Sequence, residues 1–274
     1  MTRILAIANQ KGGVGKTTTC VNLAASLAAT KKRVLLVDLD PQGNATMGSG
    51  VEKNDLELSA YDVLVGDKSI GEVRQRSKEG GFDVLPANSE LTAAEVELLQ
   101  IPQRERRLEF ALARVPGEYE FVLIDCPPSL NMLTLNGLVA AHKVLIPMQC
   151  EYYALEGLSA LMDTVHQVAA TVNAGLEVEG LVRTMYDPRN TLTNEVTAQL
   201  KKHFGDKLYR TAIPRNVRLA EAPSYGVPVM VHDRHSTGAK AYFALAGELL
   251  RRLDAEELQA NSLAAADPNN QRSV

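Results

Sequence analysis

The sequence has no tryptophan, few other aromatics, and only three cysteines in 274 residues: Cys20, Cys126 and Cys150. No pair has CxxC spacing, so the set offers neither a disulfide framework nor a zinc ribbon, and it suits free thiols in a reducing compartment. Long apolar runs are missing as well. No stretch approaches the ~18 consecutive apolar residues of a membrane-spanning helix. The opening Met1-Thr2-Arg3-Ile4-Leu5-Ala6-Ile7-Ala8 lacks the longer apolar segment and cleavage site of a signal peptide. The expectation is a cytoplasmic protein that does not span a membrane. Positive charge is not in excess either: 29 Lys and Arg face 33 Asp and Glu, for a net charge of −4. Averaged over the chain, that disfavours a nucleic-acid binder, although an average conceals differences between faces. The five histidines form no zinc pattern. With 45% hydrophobic and 23% charged residues, collagen-like, mucin-like and wholly disordered chains are excluded.

What is present is an alternation of short apolar runs and longer helical patterns. Arg3–Asn9, Val34–Asp38, Phe82–Leu85, Phe121–Asp125, Lys143–Pro147, Gly180–Met185 and Tyr209–Ile213 read as strands. Thr17–Ala29, Ala93–Gln100, Arg104–Arg114, Leu155–Val172, Thr193–His203 and Gly238–Leu253 read as helices. Such alternation implies βαβ crossovers, hence an α/β fold whose mostly parallel, twisted sheet carries helices on both faces. No repeat or interdomain linker interrupts it, so residues 1–254 are expected to form one domain. Residues 255–274 are expected to be a disordered tail, since Asn261–Val274 has almost no large apolar residues. The last helix is expected to dock on the sheet. An interfacial membrane anchor should carry Lys and Arg on its polar face, whereas this helix runs into Asp254, Glu256 and Glu257.

The strongest chemical signal is Lys11-Gly12-Gly13-Val14-Gly15-Lys16-Thr17-Thr18, which follows a strand and opens a helix. Glycines let the backbone curl so that its N–H groups converge on phosphate oxygens, and the helix N-terminus adds positive potential. Lys16 is placed to reach the β- and γ-phosphates and Thr17 to put its hydroxyl on Mg²⁺. The loop departs from G-x-x-x-x-G-K-[ST]: Gln10 stands at the first glycine, and a second lysine, Lys11, follows it. Two strand-end carboxylate motifs accompany the loop. Asp38-Leu39-Asp40-Pro41-Gln42-Gly43-Asn44 follows the second strand, and Asp125-Cys126-Pro127-Pro128 closes Phe121–Asp125. Ligands of parallel sheets bind beyond the carboxyl ends of the strands, where all three motifs emerge. An aspartate ending an apolar strand is what a Walker B position requires.

On these three motifs the chain resembles the ParA/Soj family of deviant-Walker P-loop ATPases, which partition chromosomes and plasmids, within the wider ParA/MinD superfamily. The β-α order agrees over about residues 1–253, and the stretch LDPQGNAT points toward the ParA/Soj branch. The resemblance implies ATP and Mg²⁺ as cofactors and slow, partner-stimulated hydrolysis. Lys11, Gly12, Gly13, Val14, Gly15, Lys16, Thr17 and Thr18 would bind nucleotide. Lys11 would cross to the nucleotide of a second subunit in an ATP-sandwich homodimer, acting in trans as an arginine finger does, and Gly12 would be small because two loops meet there. Lys11, Lys16 and Asp40 would be catalytic. Asp40 would position the attacking water, since a solvent-facing carboxylate is a weak base. Thr17 would bind Mg²⁺ directly, and Asp38 and Asp125 through water. Met185, Pro214 and Asn216 match the adenine positions, although Met185 also reads as a core residue and Pro214 as a strand terminator.

The charge is unevenly spread. From Arg183 to Arg218 the net charge is +5, leaving −9 for the rest of the chain. A local basic face can bind phosphates despite an acidic total. The resemblance implies non-specific DNA binding through Arg189 and Arg218, with a nucleoid location. The lysines Lys201 and Lys202 equally suit a helix C-terminus. A ParB-type centromere-binding protein is the implied partner, and no stable membrane association is expected. Two other readings share the chemistry: a ParA-like positioner of another cargo, and a MinD-like membrane-cycling ATPase. A cluster-binding relative such as the nitrogenase iron protein is disfavoured, because Cys126 and Cys150 read more simply as buried thiols.

Overall fold

In the computed structural model, which describes residues 2–152 and 154–266, the apolar runs become the strands of one eight-stranded sheet. They are β1 (Arg3–Ile7), β2 (Val34–Asp38), β3 (Gln75–Ser77), β4 (Phe82–Leu85), β5 (Phe121–Asp125), β6 (Lys143–Gln149), β7 (Glu177–Tyr186) and β8 (Leu208–Pro214). Their spatial order is β3-β4-β2-β5-β1-β6-β7-β8, parallel except for β3, which runs antiparallel to β4 at one edge. The helices are α1 (Lys16–Ala29), α2 (Asn44–Gly48), α3 (Ala60–Leu64), α4 (Ile70–Val73), α5 (Leu91–Glu97) and α6 (Arg107–Leu112). They continue with α7 (Met132–Ala140), α8 (Ala154–Thr171), α9 (Thr191–Phe204), α10 (Val217–Glu221), α11 (Val229–His232) and α12 (Thr237–Ala266).

Side chains of a strand alternate between faces, and here both faces are apolar. Leu5, Ile7, Leu36 and Leu123 point into a core covered by α1 and α12, which contribute Leu23, Leu27, Tyr242, Leu245 and Leu249. Ala6, Leu35, Val37, Val122 and Ile124 point into the opposite core, covered by helices α3 to α9. Each fully buried Leu or Ile stabilises the fold by about 1.5–3 kcal/mol. The chain is thus a single α/β domain with helices on both faces, as the alternation predicts.

Several elements differ from their sequence-based bounds. The last helix does not stop at Leu253; residues 255–266, expected to begin a disordered tail, continue it. They are rich in Ala, Glu, Leu and Gln, strong helix formers, and contain no Gly or Pro. The remainder of the predicted tail, 267–274, lies outside the described residues. Arg104–Arg114 splits into a 3₁₀ turn over Arg104–Arg106 and α6. Helix α7 went unpredicted because it is apolar on nearly every side and shows no amphipathic stripe. Asn131 starts it, its Oδ1 accepting the Thr134 N–H at 3.0 Å.

Strands β2 to β5 lie on one side of β1 and β6 to β8 on the other. Connections therefore reverse direction at β1, which opens a cleft beyond its carboxyl end. Register makes that edge level: Ile7 and Asp38 both pair with Asp125.

Candidate active site

The loop that leaves β1 fills this cleft. Gly13 and Gly15 have φ of +73° and +87°, in the left-handed region that glycine adopts without strain. A Cβ on Gly12 or Gly13 would meet nothing within 4 Å, so the loop surrounds open space. Gly15 caps α1 without a side chain, leaving the first N–H groups of the helix free for an anion. Three contacts hold the loop in shape. Asn9 donates from Nδ2 to the Pro147 carbonyl (2.8 Å) and accepts the Lys11 N–H on Oδ1 (2.9 Å). The Thr184 hydroxyl donates to the Val14 carbonyl (2.7 Å), tying the loop to β7.

Lys16 is buried, and its Nζ donates to the Lys11 carbonyl at 3.2 Å. Burial pulls its pKa down, while the nearby Asp125, Cys126 and Asp40 work the other way. Asp125 is buried, and neither of its carboxylate oxygens has a hydrogen-bond partner among the described residues. Burial and the adjacent Asp38 push its pKa well up; the Thr17 hydroxyl, close by, acts in the opposite direction. An orphaned buried carboxylate beside a second one is a donor set for a cation. No group of three or more acidic, His or Cys side chains among the described residues could by itself cage a metal. That fits Mg²⁺, which keeps waters and takes substrate phosphates alongside one or two protein oxygens.

Asp38 is buried beside Asp125, and burial raises its pKa despite hydrogen bonds from Thr46 and Asp40. Both of its oxygens are engaged: Oδ1 accepts the Asp40 N–H (3.1 Å), and Oδ2 accepts the Thr46 N–H (2.8 Å) and hydroxyl (2.7 Å). Asp40 is half-buried at the cleft, its Oδ1 accepting the Gln42 N–H. Lys11 lies at the rim, partly exposed, with its Nζ 2.6 Å from Oε2 of Glu151 in the same chain.

The candidate adenine residues sit at the same edge, on the neighbouring strand ends. Met185 has φ of +48°, uncommon for a residue with a side chain and a sign of local constraint. Gln149 donates to its sulfur. Pro214 ends β8 opposite Tyr186, and Asn216 caps α10 through the Arg218 N–H while donating to Thr237. Arg189 projects from the loop after β7 and Arg218 from α10, after β8, and both are exposed. Arg189 forms a two-pronged pair with Asp187 (2.9 and 2.8 Å); Arg218 pairs with Glu221 (2.8 Å) and Asp233 (3.5 Å). The three cysteines are buried free thiols. Elsewhere, an apolar cavity of about 350 Å³ opens at the opposite edge of the sheet, between Ile4, Leu112, Tyr119 and His142, remote from the loop.

Sequence reasoning missed Asn9, Thr46, Thr184 and Glu151. Asn9 and Thr46 lie inside or beside the quoted motifs, but only the fold reveals their bonds. Thr184 reaches the loop from β7 and Glu151 from the segment after β6, and nothing local marks them.

A parallel sheet with a phosphate-binding loop at its switch point and two strand-end aspartates defines a P-loop nucleotide-binding protein. A family model described as an AAA domain matches residues 2–178. The chain is 53% identical to the sporulation initiation inhibitor protein Soj of Bacillus subtilis, covering 91% of this chain and 98% of that one. It is 50% identical to the chromosome partitioning protein ParA of Caulobacter vibrioides, over 91% and 94%. Among solved structures, cobyrinic acid a,c-diamide synthase from Mycobacterium smegmatis with bound ADP and magnesium superposes with a TM-score of 0.82. It is 40% identical, over 93% of this chain and 97% of that one. The septum site-determining protein MinD of Pyrococcus horikoshii, complexed with Mg-ADP, gives 0.73 at 26% identity, over 91% and 96%. The chain belongs to the ParA/Soj family of P-loop ATPases, within the ParA/MinD superfamily.

Proposed function

We propose that the protein is a partitioning ATPase: ATP closes two copies into a sandwich homodimer, the dimer binds DNA non-specifically, and partner-stimulated hydrolysis releases it. The observation that carries this reading is the state of Lys11 and Gly12. Gly12 is exposed and Lys11 partly so at the rim of a formed phosphate loop, and among the described residues nothing stands within 4 Å of where a Gly12 Cβ would be. A second copy or the nucleotide supplies the reason for that open face. The named relatives support a partitioning role, and at 50–53% identity they stand closer than the synthase at 40%.

The chain's own groups divide the work. Loop N–H groups and Lys16 bind the phosphates, and desolvation strengthens that attraction. Thr17 would hold Mg²⁺, with Asp38 and Asp125 reaching it through water; when bound, the ion neutralises phosphate charge. Asp40 orients the attacking water, and Lys11 of the second copy stabilises the charge that builds up on the transferred group. Met185, Pro214 and Asn216 flank the base. Arg189 and Arg218 contact DNA phosphates, doubled in the dimer, and a ParB-type protein is the stimulating partner. The molecule works in the cytoplasm, on the nucleoid. Among the described residues no helix is long and apolar enough to cross a membrane.

The test is binding of a labelled random-sequence duplex with ATP, with ADP and without nucleotide, alongside sedimentation with anionic vesicles. The expected result is duplex binding with ATP alone, lost in Lys16→Ala together with nucleotide binding. Arg189→Glu should lose the duplex while keeping ATP and dimerisation. ATP-dependent capture of vesicles but not DNA would replace this reading with the MinD-like one.

A further inference from the structure

The loop that carries Asp40 is held from outside at its Gln42 carbonyl by Lys53 Nζ (2.6 Å), and at the Asp38 carboxylate beneath it by one hydroxyl. Thr46, in α2, is fully buried, and every hydrogen-bonding direction of its Oγ1 that the structure fills serves this loop. The hydroxyl donates to Asp38 Oδ2 at 2.7 Å and accepts the Ala87 N–H at 2.8 Å. Asp38, held on that oxygen by Thr46 twice over, uses its other oxygen to accept the Asp40 N–H at 3.1 Å. A continuous chain therefore links Ala87 to the backbone of Asp40: Ala87 donates to Thr46, and Thr46 and Asp40 both donate to the Asp38 carboxylate between them. Its far end is fixed: Pro86, beside Ala87, accepts the Ala60 N–H at 2.7 Å. The loop is also pressed against Ala87. A Cβ on Gly43, whose φ is +60°, would stand 2.6 Å from the Ala87 carbonyl oxygen, so only glycine fits there.

We propose that Thr46 is a positioning residue for hydrolysis, locking Asp38 and, through it, Asp40 against the β4–α5 connection; this rests on Asp40 being the residue that orients the attacking water. Thr46 is itself fully buried and acts through Asp38. Its effect is geometric: catalytic groups must hold to within a fraction of an ångström, and small misplacements are costly in rate. Valine has nearly the shape of threonine but neither donates nor accepts, so Thr46→Val frees Asp38 Oδ2 from one bond and leaves the Ala87 N–H unpaired. Serine restores both bonds.

The experiment measures kcat and KM for Mg-ATP hydrolysis by the full chain, together with binding of a fluorescent ATP analogue. Thr46→Val is expected to lower kcat about tenfold, near 1.4 kcal/mol of barrier, with analogue affinity within about twofold of wild type. Thr46→Ser is expected to restore kcat. In an Asp40→Ala background Thr46→Val should change kcat no further, because the group it positions is gone. If the valine variant does not fold, Thr46→Cys, with a weak donor, takes its place and is expected to show an intermediate kcat. Wild-type kcat in a folded valine or cysteine variant would overturn the proposal. So would a fall in ATP affinity parallel to kcat that serine does not repair, or an additive loss on top of Asp40→Ala. Unchanged turnover in Asp40→Ala alone would sink the reading of Asp40 itself, and the role of Thr46 with it.

Discussion

Glu248 on α12 offers a sharp test of how the edge of the sheet is held. Between Leu208 and Ala212, β8 takes four steps where β7 takes two from Leu181 to Arg183, so β8 bulges. Consecutive peptide groups that would normally point opposite ways need partners on one side. Glu248 supplies them: Oε1 accepts the Arg210 N–H and Oε2 the Thr211 N–H, each at 2.9 Å. The Thr211 hydroxyl (2.7 Å) and Arg252 (3.0 Å) complete its shell. From the other strand, Arg183 donates to the Tyr209 and Arg210 carbonyls at 3.0 Å each. Removing the carboxylate with Glu248→Ala leaves two backbone donors and a hydroxyl unpaired at a half-buried site. At about 1 kcal/mol or slightly more for each, the loss is about 2–4 kcal/mol, or roughly 3–8 °C in Tm for a chain of this size. Glu248→Gln should cost at least half as much, since an amide accepts on one oxygen and presents an N–H donor to the other. The pH dependence has a definite sign. Burial pushes the Glu248 pKa up, but the hydrogen bonds from Arg210, Thr211 and Arg252 outweigh it and hold it below the usual carboxylate range. A depressed folded-state pKa contributes stability above the unfolded pKa and loses it as pH falls through the folded one. The gap between wild type and Glu248→Gln should therefore be full at pH 7 and shrink below about pH 4. Urea unfolding at pH 7 and at lower pH measures it. Wild-type stability in Glu248→Gln at pH 7 would refute the reasoning.

Other perturbations act on the site and the basic face. Arg189→Ala should reduce the slope of log affinity against log salt by about 1.8 per dimer, at about 0.9 for each phosphate contact removed; an unchanged slope in a salt titration would take Arg189 off the DNA face. Asp187→Asn releases Arg189 from its two-pronged partner, so duplex affinity should rise a few-fold at low salt, and weaker binding would contradict the pairing. Thr184→Val deletes the tie to the Val14 carbonyl and should weaken ATP binding on the order of tenfold, measured by analogue titration, with serine restoring it.

Much of the site was legible because its chemistry is local. Glycines at positive φ, a lysine and two hydroxyls are consecutive, and Asp38 and Asp125 each end an apolar run. Short apolar runs sufficed for strands β1, β2, β4 and β5, and helical spacing for α1. They failed at α7, which is buried all round, and at β3, three residues long and mostly exposed. Composition misjudged residues 255–266, where helix propensity continued α12 beyond its last apolar contacts.

By itself the sequence determined the class of fold, the phosphate loop and the acids that accompany it, because backbone geometry at glycine and strand-end placement are properties of short segments. It also revealed a basic stretch hidden within an acidic total. Only the tertiary structure decided who holds whom. Register sets Asp38 beside Asp125, Thr184 of β7 and the Asn9 bond to Pro147 of β6 brace the loop, and Thr46 links Asp40 to Ala87. In the same way, Arg189 and Arg218 turn out to be paired with acids that the charge count registered only as a sum. Hydrogen bonds and ion pairs depend on distances of about 3 Å between groups far apart in the chain, and no local pattern encodes those.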